Sequence, residues 1–302
     1  MSTPTPAVAV DQSLLYPSPY KEFWQAFSKN KGAVAGLMFM ILIVFCALFA
    51  PWVAPHDPSE QYRDFLLTPP VWLEGGQWQF ILGTDELGRD LLSRLIQGSR
   101  LSLLIGLASV VMSLIPGILL GLLAGFFPRV LGPSVMRLMD IMLSVPSLVL
   151  IMALASALGA SLFNAMLAIT LVRIPSYVRL ARGQALSIRQ QGYVKAAQTF
   201  GASRWHQVHW HVARNAMPPL LVQLSMDIGS AILMASALGF IGLGAQQPTA
   251  EWGAMVATGR NYILDNWWYS AFPGLAILIT ATGFNLLGDG VHDLLDPRQQ
   301  GK

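Results

Sequence analysis

Six apolar stretches alternate with polar segments along the chain, at about 32–53, 101–125, 135–158, 164–184, 218–244 and 271–290. Each approaches the roughly 20 residues that a helix needs to cross a bilayer. The pattern predicts an all-α fold, a polytopic membrane helical bundle with six transmembrane helices. The first run is longer than the apolar region of a signal peptide and starts behind a polar leader, so it reads as an uncleaved helix. In that leader, residues 20–27 are amphipathic at helical spacing and suit the membrane surface. Residues 1–19 hold four prolines and few apolar anchors, and read as disordered. The chain therefore divides into a leader (1–19), a segment with the first helix and a polar extension (20–100), a core (101–290) containing a polar loop at 185–217, and a tail (291–302).

Composition agrees with a membrane protein, since 54% of the 302 residues are hydrophobic and only 12% charged. That is about half the charge of a soluble domain. The net charge of +3 is spread over several loops, which argues against nucleic acid as a partner. Cys46 is the one cysteine, so neither an intrachain disulfide nor a multi-cysteine metal site is available. Lysine and arginine are unevenly shared between alternate loops. Thirteen lie in the leader, the 126–137 turn, the 179–217 segment and the tail: Lys21, Lys29, Lys31, Arg129, Arg137, Arg179, Arg182, Arg189, Lys195, Arg204, Arg214, Arg298 and Lys302. The segments 54–100 and 245–270 hold five, against nine acids. Positive charge accumulates on the cytoplasmic side, which places both termini and the 185–217 loop there.

Some charges fall inside the apolar runs. Arg173 and Asp227 lie about 16 and 14 Å from the cytoplasmic ends of the fourth and fifth runs, at 1.5 Å per residue. An unpaired charge at such depth is expensive. The two residues either pair with each other or line a passage that accepts charged cargo. Asp140 and Arg137 are one turn apart and read as an interfacial pair. Gly117, Gly121 and Gly125 form a small-residue ridge suited to close helix packing. Pro116, Pro146 and Pro175 predict kinks in the second, third and fourth spans.

The polar loop carries Tyr193-Val194-Lys195-Ala196-Ala197-Gln198-Thr199-Phe200-Gly201-Ala202-Ser203-Arg204-Trp205. Helix is expected from Arg189 to Thr199, with a break at Gly201 and a restart capped by Ser203. Ala196 and Ala197 allow close approach, while Phe200 and Trp205 offer apolar anchors. The other reading of these residues is an amphipathic linker resting on lipid headgroups. The segment resembles the EAA loop with which membrane subunits of bacterial ABC importers grip their ATPases. Ala196-Ala197, Gly201 and the overall length match that pattern, while Lys195 takes the acidic position, His211 the apolar one, and Ala213-Arg214 the place of Leu-Pro.

Further motifs resemble the dipeptide, oligopeptide and nickel permeases of that class, closest to their C-type subunit. They are Leu82-Gly83-Thr84-Asp85-Glu86-Leu87-Gly88-Arg89-Asp90 leading into Ser93-Arg94, Gly239-Phe240-Ile241-Gly242-Leu243-Gly244 with Trp252-Gly253, and the closing Phe284-Asn285-Leu286-Leu287-Gly288-Asp289-Gly290 with Asp293 and Asp296-Pro297. The resemblance implies a coupling role for Tyr193, Lys195, Ala196, Ala197, Phe200, Gly201, Ala202, Ser203 and Trp205. It implies a bacterial inner-membrane subunit that works with a homologous B-type permease, two ATPase subunits and a periplasmic peptide-binding protein. ATP and Mg would belong to the ATPases, with no cofactor in this chain. Asp85, Arg89 and Asp90 suit an ion-paired turn at the periplasmic face, or a surface for the binding protein. Asp289, Asp293 and Asp296 read as a solvated helix end.

Catalytic patterns are missing: there is no GxxxxGK[ST], GxSxG or HExxH. His206 and His209 can share a helical face, with His211 pointing elsewhere. An ion-coupled secondary transporter is the alternative from another class, and it would call for an inverted repeat. No convincing repeat is visible in this sequence.

Overall fold

The computed structural model describes residues 24, 25 and 27–295. The leader at 1–19, the amphipathic positions 20–23 and 26, and the tail acid Asp296 lie outside the described residues. Among the described residues the regular elements are helical, apart from one isolated bridge between Thr84 and Asp90. Helix α1 (Lys31–Leu48) runs on into the single turn α2 (Ala50–Val53). Asn30 opens α1 by accepting the Ala33 N–H at 3.1 Å, which satisfies one of the donors that a helix start leaves free. Helix α3 (Leu91–Phe126) has 36 residues. At 1.5 Å per residue it is about 54 Å long, well beyond the ~30 Å of a hydrocarbon layer.

The third apolar run is broken rather than kinked. Helices α4 (Gly132–Leu143) and α5 (Ser147–Leu158) meet at 89°. Proline lacks an N–H and disfavours helical backbone in the residue before it. Pro146 therefore ends one helix and caps the next, whereas Pro116 and Pro175 are carried inside α3 and inside α6 (Leu162–Arg189). The loop follows as α7 (Gly192–Thr199), α8 (Arg204–His206) and a π-helical stretch at Gln207–Ala213. Helix α9 (Arg214–Phe240), α10 (Trp252–Gly259) and α11 (Trp268–Leu295) complete the order.

Helix α3 against α6 is the most extensive contact in the bundle. The glycine ridge makes it possible: Gly117, Gly121 and Gly125 face Tyr177, Ala181 and Ala185. A Cβ at Gly121 or Gly125 would lie 2.6 Å from the Cβ of Ala181 or Ala185. Helix α9 packs on α3, α6 and α11, and α1 lies against α11 and α3. The buried core between them includes Ile105, Val110, Ile169, Tyr177, Leu220 and Ile232.

Among the described residues four helical stretches are long and apolar enough to cross a membrane: α1, α3, the run Arg204–Phe240, and α11. The bent pair α4–α5 makes a fifth if it counts as one span. The expected sixth, α6, has 28 residues but carries Asn164, Arg173, Arg179, Arg182 and Arg189. Its length suffices and its composition does not.

The ridge carries a measurable consequence. Replacing Gly121 with Val should lower the melting temperature of the detergent-solubilised chain, by overpacking worth about 1–3 kcal/mol. Gly183, on α6, has nothing within 4 Å of a built Cβ. Gly183→Ala should be neutral or raise stability by up to ~1 kcal/mol. Equal melting temperatures for the two variants would contradict the packing described.

Candidate functional site

Between α6 and α9 the chain folds into a compact platform. Gln190 and Gln191 interrupt the helix, so α7 starts at Gly192 instead of continuing from Arg189. It closes with a Schellman turn, in which Ala202 N–H donates to Ala197 O at 3.0 Å and Gly201 N–H to Gln198 O at 3.1 Å. Gly201 has φ +83°, a left-handed conformation that a side chain would resist. Ser203 then caps α8, its Oγ accepting the His206 N–H at 3.2 Å. The Gln207 side chain donates to Ala202 O at 2.8 Å and ties the turn to the next helix.

Val194 is buried beneath this platform, and Ala197 and Ala202 are half-buried. Tyr193, Lys195, Ala196, Phe200, Gly201, Ser203 and Trp205 are exposed. Phe200 is 89% and Trp205 66% exposed. Large apolar side chains held outward on an ordered turn mark a surface that another body covers.

The π-helical stretch also changes which histidines meet. An i→i+5 repeat puts residues five apart on one face. His206 therefore packs on His211, with ring centroids 5.8 Å apart, in place of the His206–His209 face expected from α spacing. His211, which departs from the motif's apolar position, also stacks edge-on with Tyr193 at 6.0 Å. It thus joins the π stretch to α7.

Arg173 and Asp227 meet, with Nη1 and Oδ1 3.0 Å apart and side chains 9% and 15% exposed. Arg173 Nη2 donates to Ser230 Oγ at 2.6 Å, and Gln223 donates to Asp227 at 3.2 Å. The pair fastens α6 to α9. Asp140 does not pair with Arg137; it bonds Arg179 across the α4–α6 contact at 2.7 Å. The packing of α4 on α6, rather than sequence separation, selects its partner.

The opposite end of the bundle holds a buried knot of charge. Asp85 Oδ1 accepts the N–H groups of Leu87 and Arg89, both at 2.9 Å, and Oδ2 lies 2.6 Å from Arg89 Nε and 3.5 Å from Arg94 Nε. Gly83 and Gly88 take φ +84° and +76°, and the place of a Gly88 side chain is filled by Tyr62 O. Thr84 Oγ1 accepts from Thr68 N–H at 2.8 Å and donates to Phe65 O. Asp90 caps α3 through Ser93 N–H at 3.0 Å and meets His56 Nδ1 at 3.2 Å. Arg89 reaches Gln247 at 3.2 Å, and Arg94 bonds Pro58 O at 3.1 Å and Pro248 O at 3.4 Å. Because Asp85, Arg89 and Asp90 are buried, the motif stitches the 54–90 segment to the loop after α9 and offers little surface of its own.

Glu251 completes this end, and nothing in its sequence surroundings singles it out. Its carboxylate caps α10 by accepting Gly253 and Ala254 N–H at 2.8 and 2.9 Å, and Ser102 donates to it at 3.4 Å. Burial pushes its carboxyl above the ordinary value, partly offset by those hydrogen bonds.

The intramembrane pair can be tested by exchange. Arg173→Asp and Asp227→Arg should each lower the yield of folded protein, since a buried charge without its partner costs about 3–5 kcal/mol. The double exchange should recover a substantial part of that yield. A double variant no better than the worse single one would exclude direct pairing as the reason for these residues.

Comparison with known proteins bears on what this arrangement serves. The family described as "Binding-protein-dependent transport system inner membrane component" matches residues 117–301, and "N-terminal TM domain of oligopeptide transport permease C" matches residues 18–70. The chain is 61% identical over 292 residues to the di/tripeptide transport system permease protein of Pseudomonas aeruginosa (strain UCBPP-PA14), covering 97% of this chain and 96% of the relative. It is 61% identical over 269 residues to the probable D,D-dipeptide transport system permease protein of Escherichia coli (strain K12), at 89% and 88% coverage. The dipeptide transport system permease protein of the same strain is 49% identical over 281 residues, at 93% and 94% coverage. A multi-pass helical bundle, a match over more than half of the chain and relatives aligned almost end to end place this protein in the family of binding-protein-dependent inner-membrane transport components, the permease subunits of ABC importers.

Proposed function

We propose that this chain is one permease half of a heteromeric, ATP-driven importer that carries dipeptides from the periplasm to the cytoplasm. The substrate class rests on the relatives, which are named for di/tripeptide, D,D-dipeptide and dipeptide transport. Oligopeptide or nickel import is the competing reading within the same family. In this account α6 is the sixth span, shielded by α3 and α9, and both termini and the α6–α9 platform face the cytoplasm, as the lysine and arginine distribution favours. The partners are a homologous B-type permease, two ATPase subunits that bind ATP and Mg, and a periplasmic peptide-binding protein.

The observation that carries the proposal is the ordered α7–α8 turn with Phe200 and Trp205 exposed above a buried Val194. A short helix with small residues at Ala196 and Ala197 fits a groove in an ATPase. When ATP draws the two ATPases together, each pulls its platform inward, and the pull passes through the π stretch into α9 and through α6 into α3. The bundle then opens toward the periplasm, receives peptide between the two permeases, and reverts after hydrolysis. The buried knot around Asp85 keeps the periplasmic mouth rigid during this motion, and the Arg173–Asp227 pair makes α6 and α9 move together.

Replacing Ala197 with Arg should abolish uptake of a labelled dipeptide while membrane insertion and expression stay unchanged. Normal uptake in that variant would overturn the coupling assignment. Uptake of nickel in place of dipeptide by the unaltered system would overturn the substrate assignment and leave the coupling intact.

A further inference from the structure

The end of α3, its turn into α4 and the α6–α9 platform line a half-open cavity of about 510 Å³. Its lining includes Arg129, Arg189 and Arg204, the amides of Gln198 and Gln207, and no acidic residue. Arg189 is partly engaged, donating to Phe126 O at 3.2 Å with its guanidinium 5.6 Å from the Phe126 ring. Among the described residues Arg129 and Arg204 form no ion pair and have no hydrogen bond to a carboxylate. Three arginines lining one cavity with no acidic residue among its walls make it electropositive and favour an anion there. Arginine matches phosphate oxygens with paired N–H groups, which makes a phosphate ester the suitable anion.

The surroundings select its source. Phe126 and Phe127 end the apolar stretch of α3, so the cavity sits where hydrocarbon gives way to headgroups. Val130 lines the cavity and is 76% exposed, and Leu119, Leu131 and Leu138 are exposed close by in the chain. Trp205, 6.1 Å from Phe127, supplies the aromatic ring typical of that depth. A soluble anion has no use for this apolar border, whereas an acyl chain does. Basic recesses between membrane helices are suited to anionic headgroups.

We propose that the arginine cavity binds the phosphodiester of an anionic phospholipid. The lipid bridges Arg129 on the α3–α4 turn to Arg204 and Gln198 on the platform. It braces the platform against the body of the bundle, so that lipid composition sets how firmly the platform is held.

The test uses the full chain purified in a neutral detergent, titrated with dioleoylphosphatidylglycerol and followed by native mass spectrometry and by melting temperature. Arg129→Ala combined with Arg204→Ala is the variant of choice, because Arg189 also supports the end of α3. Phosphatidylglycerol should bind in preference to phosphatidylcholine and raise the melting temperature, and inorganic phosphate at millimolar concentration should not. At about fivefold per arginine, the double variant should bind phosphatidylglycerol roughly 25-fold more weakly. Unchanged affinity in the double variant, or equal stabilisation by phosphatidylcholine, would overturn the proposal. Equal stabilisation by inorganic phosphate would show a soluble-anion site and overturn the lipid assignment.

Discussion

A buried arginine must be covered, and the helices around Arg173 on α6 are arranged to meet that need. Helix α6 is long enough to span, yet Arg173, Arg179 and Arg182 deprive it of a membrane helix's composition. The cover comes from α3, whose glycines let the two backbones approach until alanine side chains fill the contact. The second cover is chemical, since Asp227 and Ser230 on α9 receive the Arg173 guanidinium. Without the ridge α6 would stand off from α3, and without α9 its charge would face lipid. The central three-helix unit is therefore held by close packing and by one buried ion pair together.

The two ends of the bundle use polar residues in opposite ways. Near α10 the charges are turned inward and share partners, with Asp85 between two arginines and Asp90 between a helix end and His56. Such a network is costly to disrupt and resists deformation. At the α6–α9 end the backbone is just as well satisfied, by a Schellman turn and a serine cap, but the apolar side chains point outward. A rigid end and an end with exposed apolar side chains suit the proposed device, driven from one side.

Much of this was legible in the sequence because the underlying rules are local or one-dimensional. Four-residue glycine spacing marked the α3 face, and counting residues from the span ends placed Arg173 and Asp227 at matching depth. Gly201 followed by Ser203 signalled a turn and a new helix start. What escaped depends on three-dimensional neighbours. Pro146 was expected to kink a span, but with no N–H to give and with helical backbone disfavoured just before it, it separated two helices, and the chain broke by 89°. Asp140 took Arg179 from another helix in place of Arg137 on its own. The π stretch, which no simple sequence signal announces, turned His211 toward His206 and Tyr193. The 1–19 leader and the 296–302 part of the tail fall outside the described residues, while α11 continues through the first tail residues to Leu295, and the arginine cavity draws on four separate segments that no sequence window joins.

The central claim is that the platform between α6 and α9 is the grip through which an ATPase drives the bundle. Replacing Phe200 with a photo-crosslinking amino acid, in cells that still take up dipeptide, tests it most directly. An adduct between this chain and a subunit bearing a phosphate-binding P-loop should form on illumination of native membranes. Adducts with lipid alone, from a transporter that remains active, would contradict it.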